Sequence, residues 1–306
     1  MTSFRDPDTK IPRRPFRLDP SKQDEPSEFR FLLLVNELIY EYEFSISNVR
    51  VLSERLTEIN SSSETVLFER SGNSFHIDSK VASKSKAAFL MESSKANQLF
   101  LTNGAYLKVS YLLPIYEWFK YKLVLIAPNW RFSLYDIVLK KDDNRFNSII
   151  LMLCNLDTGI VEIQEEEVSN KSVLPFDKSF LDHLESELHD GDIATLISSL
   201  HKDIYTAKKV KDGVLFHKLI TIHENAEGDE IPFDLSVESD GTLRALDLLP
   251  ALDDASSGHS DQTYVIDEID RSLHSLLVRE MLQSFLTRIF HEWREHSFLK
   301  TILTKS

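Results

Sequence analysis

The chain has 306 residues, of which 42% are hydrophobic and 27% charged, enough apolar material for one large globular domain or two ordinary ones. A formal net charge of -14 argues against wide, nonspecific contact with nucleic acid, because neutralising phosphates takes a basic surface. No apolar run approaches the ~18 residues that span a bilayer, so no membrane association is expected.

The lead-in, "MTSFRDPDTKIPRRPFRLD", carries prolines and basic residues with no apolar stretch behind them, so it reads as irregular chain and not as a secretory signal. From Ser27 to Asp78 the pattern is that of strands: "SEFRFLLLV", "LIYEYEFSI", "VRVLSERLTEI", "VLFER" and "SFHID", rich in β-branched and aromatic residues. Turn residues separate them at Asn36-Glu37, Ser47-Asn48, "NSSSE" and Ser71-Gly72-Asn73. Alternation in the second segment puts Ile39, Glu41, Glu43 and Ser45 on a wet face and Tyr40, Tyr42, Phe44 and Ile46 on a buried one, as in an antiparallel meander.

From Lys80 the period becomes helical in "KAAFLMESSKANQLFLT" and "LLPIYEWFKYKL". "LVLIAP" is a short buried strand stopped by proline. "FNSIILMLCNLDTGIVEIQ" predicts a helix, a turn at Asp157-Thr158-Gly159, then a strand. Its cysteine, Cys154, is the only one in the chain, which excludes an intramolecular disulfide and a cysteine-cluster zinc site. Cys154 reads as a buried structural thiol in a reducing, cytoplasmic setting. "KSFLDHLESELHDGDIATLISSLH" reads as a helix pair broken at Asp190-Gly191-Asp192. Two basic stretches, "KVASKSKAAF" and "TAKKVKDG", read as solvated helix faces or loops. "GVLFHKLITIHE" and "IPFDLSVE" return to strand. The last third runs helix, buried strand, helix through "SDGTLRALDLLPAL", "TYVIDEI" and "SLLVREMLQSFLTRIF". The fold class expected is α/β, α+β overall, with a mainly parallel core. Three regions are expected: an antiparallel β lobe (1–80), a mainly helical middle (81–225) and a C-terminal α/β lobe (226–306).

Glycine is scarce: there are eight, and none precedes a lysine, so the sequence contains no GxxxxGK[ST]; GxGxxG is also absent. Chemistry instead concentrates in two late segments. "ESDGT" (238–242) places Ser239 and Gly241 at the mouth of a helix, where a hydroxyl and backbone N–H groups can hold an anion. "YVIDEID" (264–270) ends a buried strand in Asp267 and Glu268, with Asp270 following. Adjacent strand residues face opposite ways, so the pair acts together only where the strand frays into a loop. In phosphoryl transfer the first such acid holds magnesium and the second orients or deprotonates the attacking water. An unrelated alternative takes Asp267, Glu268 and Asp270 as a metal-dependent nuclease cluster, although no further acid or lysine stands at a supporting spacing.

The stretch "FDLSVESDGTLRALDLLPAL…YVIDEIDRSLHSLLVREMLQSFL" resembles the C-terminal half of AAA family ATPases of the ATP-binding-cassette, SMC-like class, common in bacterial abortive-infection and anti-phage loci. "ESDGT" resembles their signature motif, "YVIDE" their Walker B motif and "IDRSLH" their D-loop. Upstream segments such as "PFRLDP", "RVLSERL" and "LDTGIVEI" agree, and the resemblance covers Phe16 to Phe285. It implies a P-loop NTPase head that sandwiches ATP and Mg2+ in a dimer. Ser239 and Gly241 would meet the γ-phosphate bound to the opposite protomer. Asp267 would position magnesium, Glu268 would be the general base, and Asp270 would sit in the D-loop across the interface. His274 reads as a structural polar residue.

Two departures qualify the resemblance. No strand, P-loop and helix precede the part matching "PFRLDP", and no switch histidine follows, since His291 and His296 are not followed by Asp. The chain is therefore expected to be a partial head, with a tail resembling a truncated or frame-shifted end. Losing the P-loop removes several charge-assisted hydrogen bonds of ~1.5–3 kcal/mol each, enough to move nucleotide affinity from micromolar to beyond millimolar. A homo- or heterodimer through the ATPase head is expected, activity would need a partner that supplies the P-loop, and a full-length ATPase homologue or an effector is a possible partner. The alternative is a non-catalytic remnant or protein-interaction module of a defence ATPase.

Overall fold

The computed structural model describes residues 6, 9–128, 144–156, 158–198, 203–256 and 260–295. Contacts divide the chain into two compact units, Met1–Leu123 and Val124–Ser306.

In the first unit, five strands form an antiparallel meander in sequence order: β1 (Ser27–Val35), β2 (Leu38–Ile46), β3 (Val51–Ile59), β4 (Glu64–Ser71) and β5 (Ser74–Ile77). The β1–β2 hairpin closes through Asn36 and Glu37, both at positive φ (51° and 65°), the two-residue turn whose twist matches that of the flanking strands. Tyr40, Tyr42 and Phe44 are buried as the alternation requires. The alternation fails at the end of β2, where a register shift between Ser45 and Ile46 buries the serine and leaves the isoleucine half-exposed. Three helices cover the sheet: α1 (Lys84–Glu92), α2 (Phe100–Tyr106) and α3 (Leu113–Glu117), the last continued by a π-helical turn, Trp118–Lys122. "KAAFLMESSKANQLFLT" is thus two helices and a loop. Their apolar side chains, among them Leu90, Phe100, Leu112, Ile115 and Phe119, join Tyr42, Leu56 and Phe68 in one core.

A buried carboxylate organises that core. Glu54 on β3 accepts hydrogen bonds from the Leu101 amide (2.9 Å), the Phe100 amide and the Tyr42 hydroxyl (2.8 Å). It therefore satisfies the orphan donors at the start of α2, a helix whose first six residues are all buried. Arg70, also buried, donates to the carbonyls of Gln98 (2.8 Å) and Lys95 (3.1 Å) in the loop leading to α2.

The second unit contains β6 (Leu123–Ile126, at the division), α4 (Asn144–Cys154), β7 (Ile160–Glu167), α5 (Lys178–Glu187), β8 (Ile193–Ile197), β9 (Ile204–Val210), β10 (Gly213–Glu224), β11 (Glu230–Asp234), α6 (Asp240–Ser256), β12 (Thr263–Ile266) and α7 (Ser275–Glu295). Strand β10 is the hub: β7 pairs with it over Ile160–Glu167, and β9 and β11 take successive stretches, with β8 beyond β9. β12 and β6 form a separate two-stranded sheet. Helix α6 is buried continuously from Thr242 to Asp253, and its leucines meet Ile126, Ile149, Leu153, Ile160, Leu219, Met281 and Phe285 in the unit's main core.

The architecture is mixed α/β with several sheets, but four expectations need correction. The core is not mainly parallel, since every ladder in the two five-stranded sheets is antiparallel. The connections explain this: β9 turns into β10 through Lys211-Asp212, whereas parallel neighbours need a crossover of a dozen residues or more. The segment after Asp190-Gly191-Asp192 is β8, not a second helix, and "TAKKV" lies in β9. With β6, β7 and β10 these make five strands among the described residues of 81–225. Cys154 is exposed, not buried. Helix α4 turns Ile149, Met152, Leu153 and Leu156 inward at helical spacing, which leaves Leu151 (63% exposed) and Cys154 on the opposite face. His291 is in α7 without a described side chain, and His296 lies outside the described residues.

Burial, the largest influence on Glu54, pushes its carboxyl above the usual range against the lowering effect of its hydrogen bonds and Arg70. A carboxyl whose folded pKa exceeds its unfolded one contributes stability that is fully present below the unfolded value and is lost as pH rises through the folded value. Urea unfolding across that window should show wild type losing stability relative to Glu54→Gln as pH rises. A pH-independent difference would refute the assignment. Glu54→Ala, which strands two amides and a phenol, should cost about 3 kcal/mol.

Candidate functional site

Ser239 is the N-cap of α6. Its Oγ accepts from the Thr242 amide at 3.0 Å and lies 2.9 Å from the Thr242 hydroxyl, while its carbonyl accepts from the Leu243 amide. Asp240 in the first turn complements the positive end of the helix. The residue before the cap is anchored by its side chain. Glu238, almost fully buried, accepts from the Thr221 hydroxyl and lies 2.7 Å from His223 Nε2, both on β10.

β12 brings the acids to the other side of the site. The Asp267 amide donates to the Ile126 carbonyl (3.0 Å), carrying the β6–β12 pairing one residue past the end of the strand. The chain then leaves the sheet abruptly, since Glu268 adopts a left-handed conformation (φ 47°). Such a conformation costs a non-glycine residue of order 1 kcal/mol or more and recurs at functional sites. Two overlapping turns follow, Arg271 N–H to Glu268 carbonyl and Leu273 N–H to Asp270 carbonyl, both 3.0 Å. Asp267, Glu268 and Asp270 all present exposed side chains, and Arg271 Nη1 stands 3.9 Å from Glu268 Oε2. The fraying that an Asp-Glu pair needs is thus built into the backbone. His274 caps α7, its Nδ1 accepting from the Leu276 amide (3.3 Å), which is the structural role expected of it.

The two segments meet at Gly241. A Cβ built there would lie 2.9 Å from the Ser272 carbonyl oxygen, so the mouth of α6 packs directly against the backbone of the loop that follows the acids. Ser272 is itself left-handed (φ 64°). Ser239 and Gly241 are therefore brought to the loop that carries Glu268 and Asp270. Among the described residues no three His, Cys, Asp or Glu side chains converge into a metal-binding group, so the three acids do not form the nuclease-type cluster considered above. Glu238, Thr221, His223 and Ser272 all stand in segments quoted above, and their sequence context assigns none of them a role at the site. Thr221 and His223 could have been noticed as polar residues two apart on a buried strand; the Ser272 contact is a matter of tertiary approach.

Gly241→Ala should lower stability by about 1–3 kcal/mol in urea unfolding, because the neighbour is backbone and cannot swing away. Hydrogen exchange should rise across residues 268–274. Ser239→Ala, which removes only the cap, should cost about 1 kcal/mol and leave that loop's exchange unchanged. Identical exchange patterns in the two variants would show that the Gly241 contact does not hold the loop.

A family model described as "AAA domain, putative AbiEii toxin, Type IV TA system" matches residues 1–304. No curated protein and no solved structure matches the chain. The matched span covers nearly all of the 306 residues, including both site segments, and the chain belongs to this AAA-domain family, whose membership implies an ATP-binding, NTPase-type function.

Proposed function

We propose that the chain works as one face of an ATP-hydrolysing head of the ATP-binding-cassette, SMC-like kind, in which the Ser239–Gly241 mouth serves as the signature motif and Asp267-Glu268 as the Walker B acids. The observation that carries this reading is the packing of Gly241 on the Ser272 carbonyl, which joins the two segments into one surface. The residues fit magnesium and a base in kind: Asp267 is an exposed carboxylate at a strand end, suited to a hard cation that keeps most of its waters, and Glu268 is an exposed carboxylate beside it. They do not include a phosphate cradle, since no GxxxxGK[ST] occurs in these 306 residues.

Bound magnesium would neutralise charge on the β- and γ-phosphates. Glu268, exposed at its left-handed turn, would take the proton of the attacking water. Ser239 Oγ accepts from the Thr242 amide and pairs with the Thr242 hydroxyl; with Thr242 as the donor of that pair, the serine proton would go to a phosphate oxygen. Asp270, two residues on, lies in the exposed turn that a second head would face. A heterodimer with a chain that carries a P-loop, in a cytoplasmic abortive-infection or anti-phage setting, completes this reading; 226–306 is the lobe that supplies the motifs.

The purified chain should show no magnesium-dependent ATP turnover alone and a Kd for MgATP weaker than about 1 mM by calorimetry. Turnover should appear on mixing with a P-loop-bearing head and fall at least about a hundredfold in Glu268→Gln, with MgATP binding retained. Turnover by the chain alone that vanishes in Glu268→Gln would overturn the requirement for an outside P-loop. Absence of turnover in every mixture would favour the non-catalytic interaction module.

A further inference from the structure

The loop between β11 and α6 is not held by turn chemistry. It contains no glycine or proline from Leu235 to Glu238, and its 3-10 turn spans only Leu235–Val237. Two side-chain anchors hold it instead. At its start the Ser236 amide donates to Asp203 Oδ1 (3.0 Å), and Asp203 is bridged by Lys218 of β10 (3.2 Å). At its end Glu238 is gripped by Thr221 and His223, residues two apart and so on one face of β10.

The second anchor is tightly built. Thr221 is fully buried. The His223 ring lies on Phe233 (centroids 4.5 Å apart), and its Nδ1 would be 3.2 Å from a Cβ at Gly159, a position whose φ of +76° also favours glycine. The imidazole therefore has little freedom, and neither does the carboxylate it contacts. A carboxylate taken almost wholly out of water costs free energy unless it is well partnered, and Thr221 and His223 supply those partners. Its place, directly before Ser239, gives it a positional role.

We infer that Thr221 and His223, acting through Glu238, are positioning residues for the Ser239–Gly241 mouth, so that strand β10 sets where this chain offers its serine hydroxyl and helix-terminal amides to the terminal phosphate of a nucleoside triphosphate. This rests on the proposed nucleotide reading for its ligand, though not for its geometry. The same mouth carries the Ser272 carbonyl on Gly241, so a shift at Glu238 reaches the loop bearing Glu268 and Asp270.

The test compares Thr221→Val, which removes the hydroxyl at nearly constant shape, with Thr221→Ser, which keeps it, and with Glu238→Gln as a second probe of the same bond. Amide hydrogen exchange is followed at Thr242–Ala245 of the full chain, and amide chemical shifts of residues 239–243 during MgATP titration in the presence of a P-loop-bearing head. Thr221→Val should speed exchange at those amides about tenfold and weaken the MgATP response by a similar factor. Thr221→Ser should restore both, Glu238→Gln should fall between, and exchange in the β9–β10 ladder should stay unchanged. Unaltered exchange at Thr242–Ala245 in both Thr221→Val and Glu238→Gln, or a Thr221→Ser variant as loose as Thr221→Val, overturns the positioning role whatever MgATP does. Exchange that responds as expected while wild type mixed with the P-loop-bearing head shows no shift with MgATP upholds the positioning of the mouth and refutes the nucleotide reading instead.

Discussion

The approach of the Ser272 carbonyl to Gly241 is the constraint on which the candidate site depends. A carbonyl cannot come that near a helix whose second residue carries a side chain, so glycine at this point is a requirement of packing before it is a requirement of ligand binding. The contact converts two segments some thirty residues apart into one surface. It also makes the left-handed conformations at Glu268 and Ser272 intelligible: the chain leaves β12, turns twice and is fixed at Gly241 before α7 begins at the His274 cap.

Both units rest on the same device, a buried acid that fixes the start of a helix. Glu54 reaches the exposed amides of α2 directly, from a strand of the meander. Glu238 acts one step removed, by tying the residue before the α6 cap to β10. In each case a β-strand, rigid because it is laddered on both sides, sets the origin of a helix that is itself almost wholly buried. Short helices gain little from propensity, and tertiary anchoring of this kind is what makes them persist.

Much of the first unit was legible from residue alternation. β1 and β2 span the segments "SEFRFLLLV" and "LIYEYEFSI", and the Asn36-Glu37 turn is where the polar pair separates them. The pattern misled where one residue type serves two structures. "IATLI" suits a buried helix or a strand, and its five residues are too few for periodicity to decide; pairing with β9 makes it β8. "TAKKV" reads as solvated because of its lysines, but its Thr206 and Ala207 are buried in β9. Cys154 took its expected burial from an apolar run that is in fact amphipathic, with the cysteine on the outer side.

The sequence by itself determined the composition of the site: a serine-glycine helix mouth, an Asp-Glu pair ending a short apolar strand, a following Asp, and no GxxxxGK[ST]. These are statements about residue type at short spacing, which local chemistry governs. Only the tertiary structure decided that the mouth and the acid loop touch, that β10 anchors the residue before Ser239, and that both large sheets are antiparallel. Such facts depend on contacts between residues far apart in the chain, chosen by packing and by where buried polar groups find partners, and no local pattern encodes them.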